Sequence, residues 1–228
     1  MRLCTWDKLP PQMQTEAVRP YYDSLHGKRL QLALKRCFDI VMALVLLILL
    51  SPIFVLLAIW IKLDSTGPVF YRQQRVTQYG KVFRIYKFRT MVDHADQLGS
   101  AVTVQADSRI TRAGQFLRKC RLDEIPQLLN ILAGNMTFVG TRPEVPKYVD
   151  CYTEEMMATL LLPAGVTSMA SIAFKNEMQL LTRVSDVDEA YVHEVLPEKM
   201  KYNLQGLQTF SVYNDCAILL KTVVAVLR

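Results

Sequence analysis

Residues 40–61 read IVMALVLLILLSPIFVLLAIWI, twenty-two residues without a formal charge, with Ser51-Pro52 in the middle. As a helix rising about 1.5 Å per residue, this run is just long enough to cross a hydrocarbon core of about 30 Å. Proline removes a helix hydrogen bond and kinks or breaks the helix. Basic residues flank both ends. Lys28, Arg29, Lys35 and Arg36 precede the run, and Lys62, Arg72, Arg75, Lys81, Arg84, Lys87 and Arg89 follow it. Lys and Arg mark the cytoplasmic side of a membrane segment, so a straight span would carry that signal on the wrong side at one end. Two readings compete. One is a kinked single-span anchor, which hydrophobicity alone favours. The other is a re-entrant helical hairpin that bends at Ser51-Pro52 and returns to its side of entry, with a serine hydroxyl as a candidate partner for freed carbonyls. The run starts too far from the N-terminus, and is too long, to read as a secretory signal peptide.

The 228 residues leave room for one further domain of roughly 130 to 165 residues. A net charge of +6, from 27 Lys and Arg against 21 Asp and Glu, suits an anionic membrane surface or a phosphate-bearing substrate, and equally a nucleic acid. Cys4, Cys37, Cys120, Cys151 and Cys216 are scattered and odd in number. They read as reduced and mostly buried, as in a protein facing the cytosol. His26, His94 and His193 do not cluster, which argues against a His-based zinc site.

The chain divides into an N-terminal arm (1–27), a membrane segment (28–62) and a third region (63–228). The arm is polar, contains three prolines and has no strong period, so it reads as flexible or loosely docked. From Asp64 to Met91 the alternation in PVFYRQQRV and KVFRIYKF, with turn signals at Gly67-Pro68 and Tyr79-Gly80, predicts a short strand pair. Val92 to Thr137 reads mainly helical. Beyond it, helices are expected over 147–162, 185–205 and 212–227, with PAGVTSMASIAF extended or looped. The last stretch, AILLKTVVAVL, is too short to span a membrane; it reads as core or as an interfacial helix.

The chemistry concentrates in RKCRLDEIPQLLNIL, residues 118–132. Pro126 ahead of an apolar helical pattern predicts a helix starting near Asp123. An ionised Asp123, with Arg118, Lys119 and Arg121 drawing in an anion, is a plausible nucleophile toward phosphorus. Glu124 beside it could bind a divalent metal or handle a proton. The plain alternative is an ordinary helix start with acidic residues in its first turn. Lys87 and Arg89 alternate on a predicted strand and so share one face, where both could meet a diphosphate or simply be solvated. Asp107 and Arg109 flank a turn. Arg142, between Gly140 and Pro143, carries a fork suited to phosphate or a base edge.

Taken in order, KRCFDI, the apolar run with its Ser-Pro, STGPVFYRQQRV, KVFRIYKFRTM, DSRITRAGQFLRKCRLDEIPQLLNIL, GNMTFVGTRPE and PAGVT resemble the bacterial sugar transferase family, the monotopic phosphoglycosyl transferases. The resemblance covers roughly residues 35–167, with a weaker echo at 217–227. It implies an α/β fold, mostly α with a short β-hairpin or small sheet, on a re-entrant membrane helix broken at Ser51-Pro52. The third region would then be a cytoplasmic transferase domain with interfacial helices, at the bacterial inner (cytoplasmic) membrane. The implied reaction moves a sugar phosphate from a UDP-sugar to undecaprenyl phosphate and releases UMP, opening the synthesis of a surface polysaccharide or glycoconjugate.

In that reading Asp123 is the nucleophile, and Glu124 assists through magnesium (or manganese) or proton handling. Asp123 and Glu124 are the metal ligands, Asp107 a weaker candidate. Lys87, Arg89, Arg109, Arg118, Arg142 and Pro143 bind substrate. The implied partners are the UDP-sugar, undecaprenyl phosphate, membrane lipids and downstream glycosyltransferases, with no nucleic acid; a homodimer is left open.

The chain departs from the family pattern at Ser168, where a second glycine is usual, at Ala170-Ser171, where Ala-Gln is usual, and at Thr141, where proline is common. Phe174, Lys175, Asn176 and Glu177 are either sugar contacts or the start of a surface helix. Two other classes compete: a membrane-anchored metal-dependent phosphodiesterase or nuclease, and a non-catalytic anchored scaffold. Neither accounts for a broken membrane helix together with clustered Lys87, Arg118, Asp123, Glu124 and Arg142.

Overall fold

A computed structural model of the chain describes residues 1, 3–95, 107–175 and 187–227. Its spine is a long helix. After α1 (Arg19–His26), α2 runs without interruption from Arg29 to Asp64, with Pro52 inside it. The break expected at Ser51-Pro52 is absent from the backbone pattern, which stays helical through both residues. Proline has no N–H to offer the carbonyl four residues back, which here belongs to Ile48. The Ser51 hydroxyl donates to that carbonyl at 2.8 Å, so the bond lost at Pro52 is replaced from the neighbouring residue.

One face of α2 is docked along its length. Leu32, Lys35, Asp39, Ala43, Leu57 and Ile61 are buried, spaced by whole turns, while Val41, Leu44, Ile48, Leu49, Val55, Leu56 and Ile59 are exposed apolar side chains. Lys35 donates to the Val139 carbonyl at 2.9 Å and pairs with Asp215 at 2.5 Å. Arg36 donates to the carbonyls of Ile131 and Leu132, and Asp39 accepts from the Thr137 hydroxyl and the Phe138 N–H. Beyond the proline, Phe54, Leu57 and Ile61 pack against Phe88 and Leu117, and Asp64 accepts from the Ala113 N–H. Both ends of the apolar run therefore hold the same body of protein.

The predicted strand pair is present: β1 (Phe70–Val76) and β2 (Val82–Phe88) are antiparallel, Phe70 opposite Phe88 and Val76 opposite Val82. Tyr79 and Gly80 make the turn with positive φ. After β2 come α3 (Arg112–Lys119), a tight turn at Leu122–Glu124, α4 (Gln127–Leu132) and β3 (Met136–Val139). A short helix α5 (Pro146–Val149) follows. β4 (Ala164–Thr167) lies parallel to β3, with Met136 opposite Ala164. Phe83 and Ile85 of β2, Leu128 and Ile131 of α4, Met136, Ala164 and Ala43 of α2 form one core.

Gly114 lets α3 approach this layer closely, since a Cβ there would lie 2.0 Å from the Thr90 carbonyl oxygen. The stretch expected to be extended or looped is β4 followed by helix α6 (Met169–Ala173), capped by Ser168, whose hydroxyl accepts the Ser171 N–H at 3.1 Å. Helix α7 (Val187–Ala190) passes through a π-turn at Tyr191–Val195 into α8 (Leu196–Gln208), and α9 (Val212–Leu227) closes the described chain. It spans the predicted residues, packs on α2, β3 and α6, and exposes Tyr213, Leu220, Val223, Val224 and Val226.

The N-terminal segment is not loosely docked. Leu9, Met13, Val18, Tyr21, Tyr22 and Leu25 are buried in a core with Val76, Leu160, Leu161, Leu207 and Phe210. The cysteines are all free, as expected, but their burial differs from expectation, since all but Cys4 are exposed.

Leu25→Ala is expected to destabilise the protein by about 2–5 kcal/mol, because Leu25 is fully enclosed. Gly114→Ala should cost about 1–3 kcal/mol by forcing α3 away from Thr90. Thermal unfolding in detergent checks both; parent-like stability of Leu25→Ala would return residues 1–27 to a loose arm.

Candidate active site

The site is assembled where β2, the 122–124 turn and the end of β3 meet. Lys87 shares the strand face of Phe83 and Ile85, so it points toward α4 rather than to solvent. Asn130 staples α4 to that strand: its side chain accepts the Tyr86 N–H at 2.8 Å and donates to the Arg84 carbonyl at 3.0 Å. Arg121, in a left-handed conformation at φ 57°, ends α3 and turns the chain into Leu122–Glu124. The expected helix start near Asp123 is this tight turn, with α4 proper beginning after Pro126. Lys87 and Glu124 consequently meet at 3.0 Å. The pairing of β3 with β4 continues past the strands through Gly140 N–H to Thr167 carbonyl and Gly165 N–H to Thr141 carbonyl. This sets Arg142 against Glu124, which it grips through both guanidinium nitrogens.

The two neighbouring acids have opposite fates. Burial works against the charge on Glu124, but Arg142 and Lys87 overcome it and hold the carboxyl far below the usual range. Glu124 in turn raises Arg142, while burial lowers Lys87. Asp123 is also buried, and burial pushes its carboxyl up, with Lys87 opposing. Among the described residues no side chain donates a hydrogen bond to Asp123, so its oxygens remain available to a ligand or an electrophile.

The remaining expected residues divide. Arg118 lies at the cleft wall, its Nε donating to the Thr90 hydroxyl at 2.8 Å. Arg109 also lines the cleft but is tied to Asp107 at 2.6 Å and to the Ala95 carbonyl. That embrace lowers the Asp107 carboxyl and occupies it, against a role as metal ligand. Arg89 borders the cleft as expected, but its guanidinium is committed elsewhere. It is buried and donates to the carbonyls of Ser65 and Thr66 and to the Ser65 hydroxyl, closing the C-terminal end of α2. Pro143 lines the cleft, and its carbonyl accepts from Arg75 at 3.0 Å. Ser51 and Pro52 lie in α2 as described.

These groups open into a cleft of about 1380 Å³. One stretch of wall carries Lys87, Arg118, Asp123, Glu124 and Arg142; another is apolar, with Leu46 and Leu50 from α2 and Ala225 and Val226 from α9. A third was missed by the sequence reading. Arg75, Glu144, Tyr191 and Lys199 form a buried polar cluster, Glu144 accepting from Tyr191 at 2.6 Å and from Lys199 at 3.4 Å. Glu144 stands beside Arg142 in GTRPE and could have been found there. Tyr191 and Lys199 come from helices with no local motif. Phe174 and Lys175 line the cleft, whereas Asn176 and Glu177 lie outside the described residues.

The chain is 33% identical over 197 residues to the UDP-N-acetylgalactosamine-undecaprenyl-phosphate N-acetylgalactosaminephosphotransferase of Aeromonas hydrophila, covering 85% of this chain and 44% of that protein. It is 35% identical over 218 residues to the undecaprenyl-phosphate galactose phosphotransferase of Salmonella typhimurium, covering 89% and 42%. With the exopolysaccharide production protein ExoY of Rhizobium meliloti it shares 33% identity over 207 residues, 84% of each chain. The chain thus spans less than half the length of the first two relatives and most of the third. The family model described as bacterial sugar transferase matches residues 30–228, from the first turn of α2 through the whole cleft, and the chain belongs to that family.

Proposed function

We propose that this protein transfers a sugar-1-phosphate from a UDP-sugar to undecaprenyl phosphate, releasing UMP and forming the polyprenyl-diphosphate sugar. The observation that carries this reading is a buried, unpartnered Asp123 carboxylate in a cleft walled by cations on one stretch and by apolar residues of α2 and α9 on another. The three relatives point the same way, two being named as undecaprenyl-phosphate sugar phosphotransferases and the third as an exopolysaccharide production protein.

Chemically, an Asp123 oxygen attacks the sugar-bearing phosphorus of the UDP-sugar. The bond to the bridging oxygen breaks, its electron pair leaves with UMP, and an aspartyl phosphosugar remains. An oxygen of the lipid phosphate then attacks the same phosphorus, and Asp123 departs as a carboxylate. Lys87, Arg118 and Arg142 offset the charge on the transferring group. Glu124, held by Lys87 and Arg142, orients those cations rather than accepting protons.

The residues also suit a magnesium ion. Asp123 has both oxygens uncommitted, Glu124 retains acceptor capacity on Oε2, and magnesium takes one or two carboxylates with substrate phosphates and water. Bound there, it supplies neutralisation of the diphosphate.

The apolar run reads as re-entrant through a bend of α2 at Pro52 rather than a break. Lys35, Arg36 and Asp39 ahead of it, Ile61 at its end and Asp64 behind it all hold one domain, which supports placing both flanks on one side of the membrane. The proposed site of action is the cytoplasmic face of the bacterial inner membrane.

Asp123→Asn should lower turnover by at least about 10⁴-fold while the protein stays in the membrane. Radiolabelled UDP-sugar with undecaprenyl phosphate is the assay; parent-like transfer would remove Asp123 as nucleophile. UMP appearing with free sugar phosphate, and no lipid product, would identify a hydrolase instead. Single cysteines replacing the exposed Leu30 and Leu63, in a background free of the native cysteines, should both react with a membrane-impermeant thiol reagent only from the cytoplasmic side. Labelling from opposite sides would establish a single span.

A further inference from the structure

Gln127 occupies a place in the cleft that the mechanism above does not use. It is 1% exposed, lines the cleft, and its Nε2 is buried with no hydrogen-bond partner among the described residues. A buried donor left unmade costs free energy comparable to a lost hydrogen bond, and an apolar side chain of the same shape would avoid that cost. Gln127 therefore sits where packing alone gives no reason for an amide.

Its position relative to Asp123 suggests what the amide serves. Ile125 and Pro126 have right-handed helical angles, so the chain stays helical from the 122–124 turn into α4. Its bonds run over three residues, from the Ile125 N–H to the Leu122 carbonyl and from the Leu128 N–H to the Ile125 carbonyl. Asp123 and Gln127 lie on this one short path, and both line the cleft. A phosphorus bonded to an Asp123 oxygen would bring its own non-bridging oxygens into the space that both residues line. Lys87 and Arg118 reach the cleft from other elements, so Gln127 adds a neutral donor from the helical path of Asp123 itself.

We propose that Gln127 donates a hydrogen bond from its carboxamide to a non-bridging phosphoryl oxygen of the group in transit on Asp123, and is a catalytic residue of the transfer. This rests on the phosphotransfer reading.

The test is Gln127→Met, close in volume and apolar, in the full-length protein in detergent. UDP-galactose, UDP-glucose and UDP-N-acetylgalactosamine serve as donors, read by single-turnover UMP formation and by thermal unfolding. UMP formation should slow about 100-fold, the scale for losing one donor to developing oxyanion charge, with the unfolding midpoint unchanged or raised. Gln127→Glu, which sets a carboxylate against the phosphoryl oxygens, should be slower still.

UMP formation by Gln127→Met within twofold of the parent would overturn the assignment. A parallel fall in rate and unfolding midpoint would also overturn it, by showing that the amide holds the fold. Absence of UMP formation by the parent with all three donors would overturn the phosphotransfer reading itself and this inference with it. Parent activity with an indifferent Gln127→Met would remove this inference alone.

Discussion

The arrangement of the cleft depends on one carboxylate. Glu124 stands between Lys87 of β2 and Arg142 beyond β3, and so joins the two small sheets. Desolvation offsets most of what such a buried pair gains in Coulomb energy, so its contribution lies more in geometry than in stability. The consequence for the adjacent residue is direct. Because Glu124 takes both cations, Asp123 is left close to positive charge yet without a bond to it. A nucleophile gains from that combination: cations close enough to oppose the desolvation that pushes its carboxyl up, and no donor to be displaced before attack.

The sequence made much of this legible, and the exceptions have physical causes. The strand pair β1–β2 shows an alternation of two, and α2 and α9 show apolar runs of helical length, features that a single chain displays without knowledge of its neighbours. Asp123, Glu124, Lys87 and Arg142 were readable because local motifs carry them. Lys87 and Arg89 looked equivalent, being alternate residues on one strand. They diverge because β2 ends at Phe88, leaving Arg89 beside the open carbonyls of Ser65 and Thr66. That contact spans more than twenty residues and has no local signature. The same holds for Tyr191 and Lys199, which reach Glu144 from over forty residues away.

The N-terminal segment was misread for a different reason. Its buried residues are spread over Leu9, a short 3₁₀ turn holding Met13, Val18 and a two-turn helix, so their spacing follows no single period. Prolines at 10, 11 and 20 suggested disorder but instead stand at the starts of structured turns, where a missing N–H costs little. The exposed cysteines show a related limit: residue type predicts burial only on average, and Cys37 and Cys216 lie on the outward sides of α2 and α9.

The hydroxyl of Ser51 on the Ile48 carbonyl has a consequence for how such a helix arises. A proline in an apolar helix commonly relies on a second helix or an ordered water to satisfy the carbonyl it strands. Here the remedy is the preceding residue, so interruption and repair form a two-residue module that needs no outside partner. Such a module is portable. Any sufficiently apolar helix can acquire it through neighbouring codons, independently of the domain it serves.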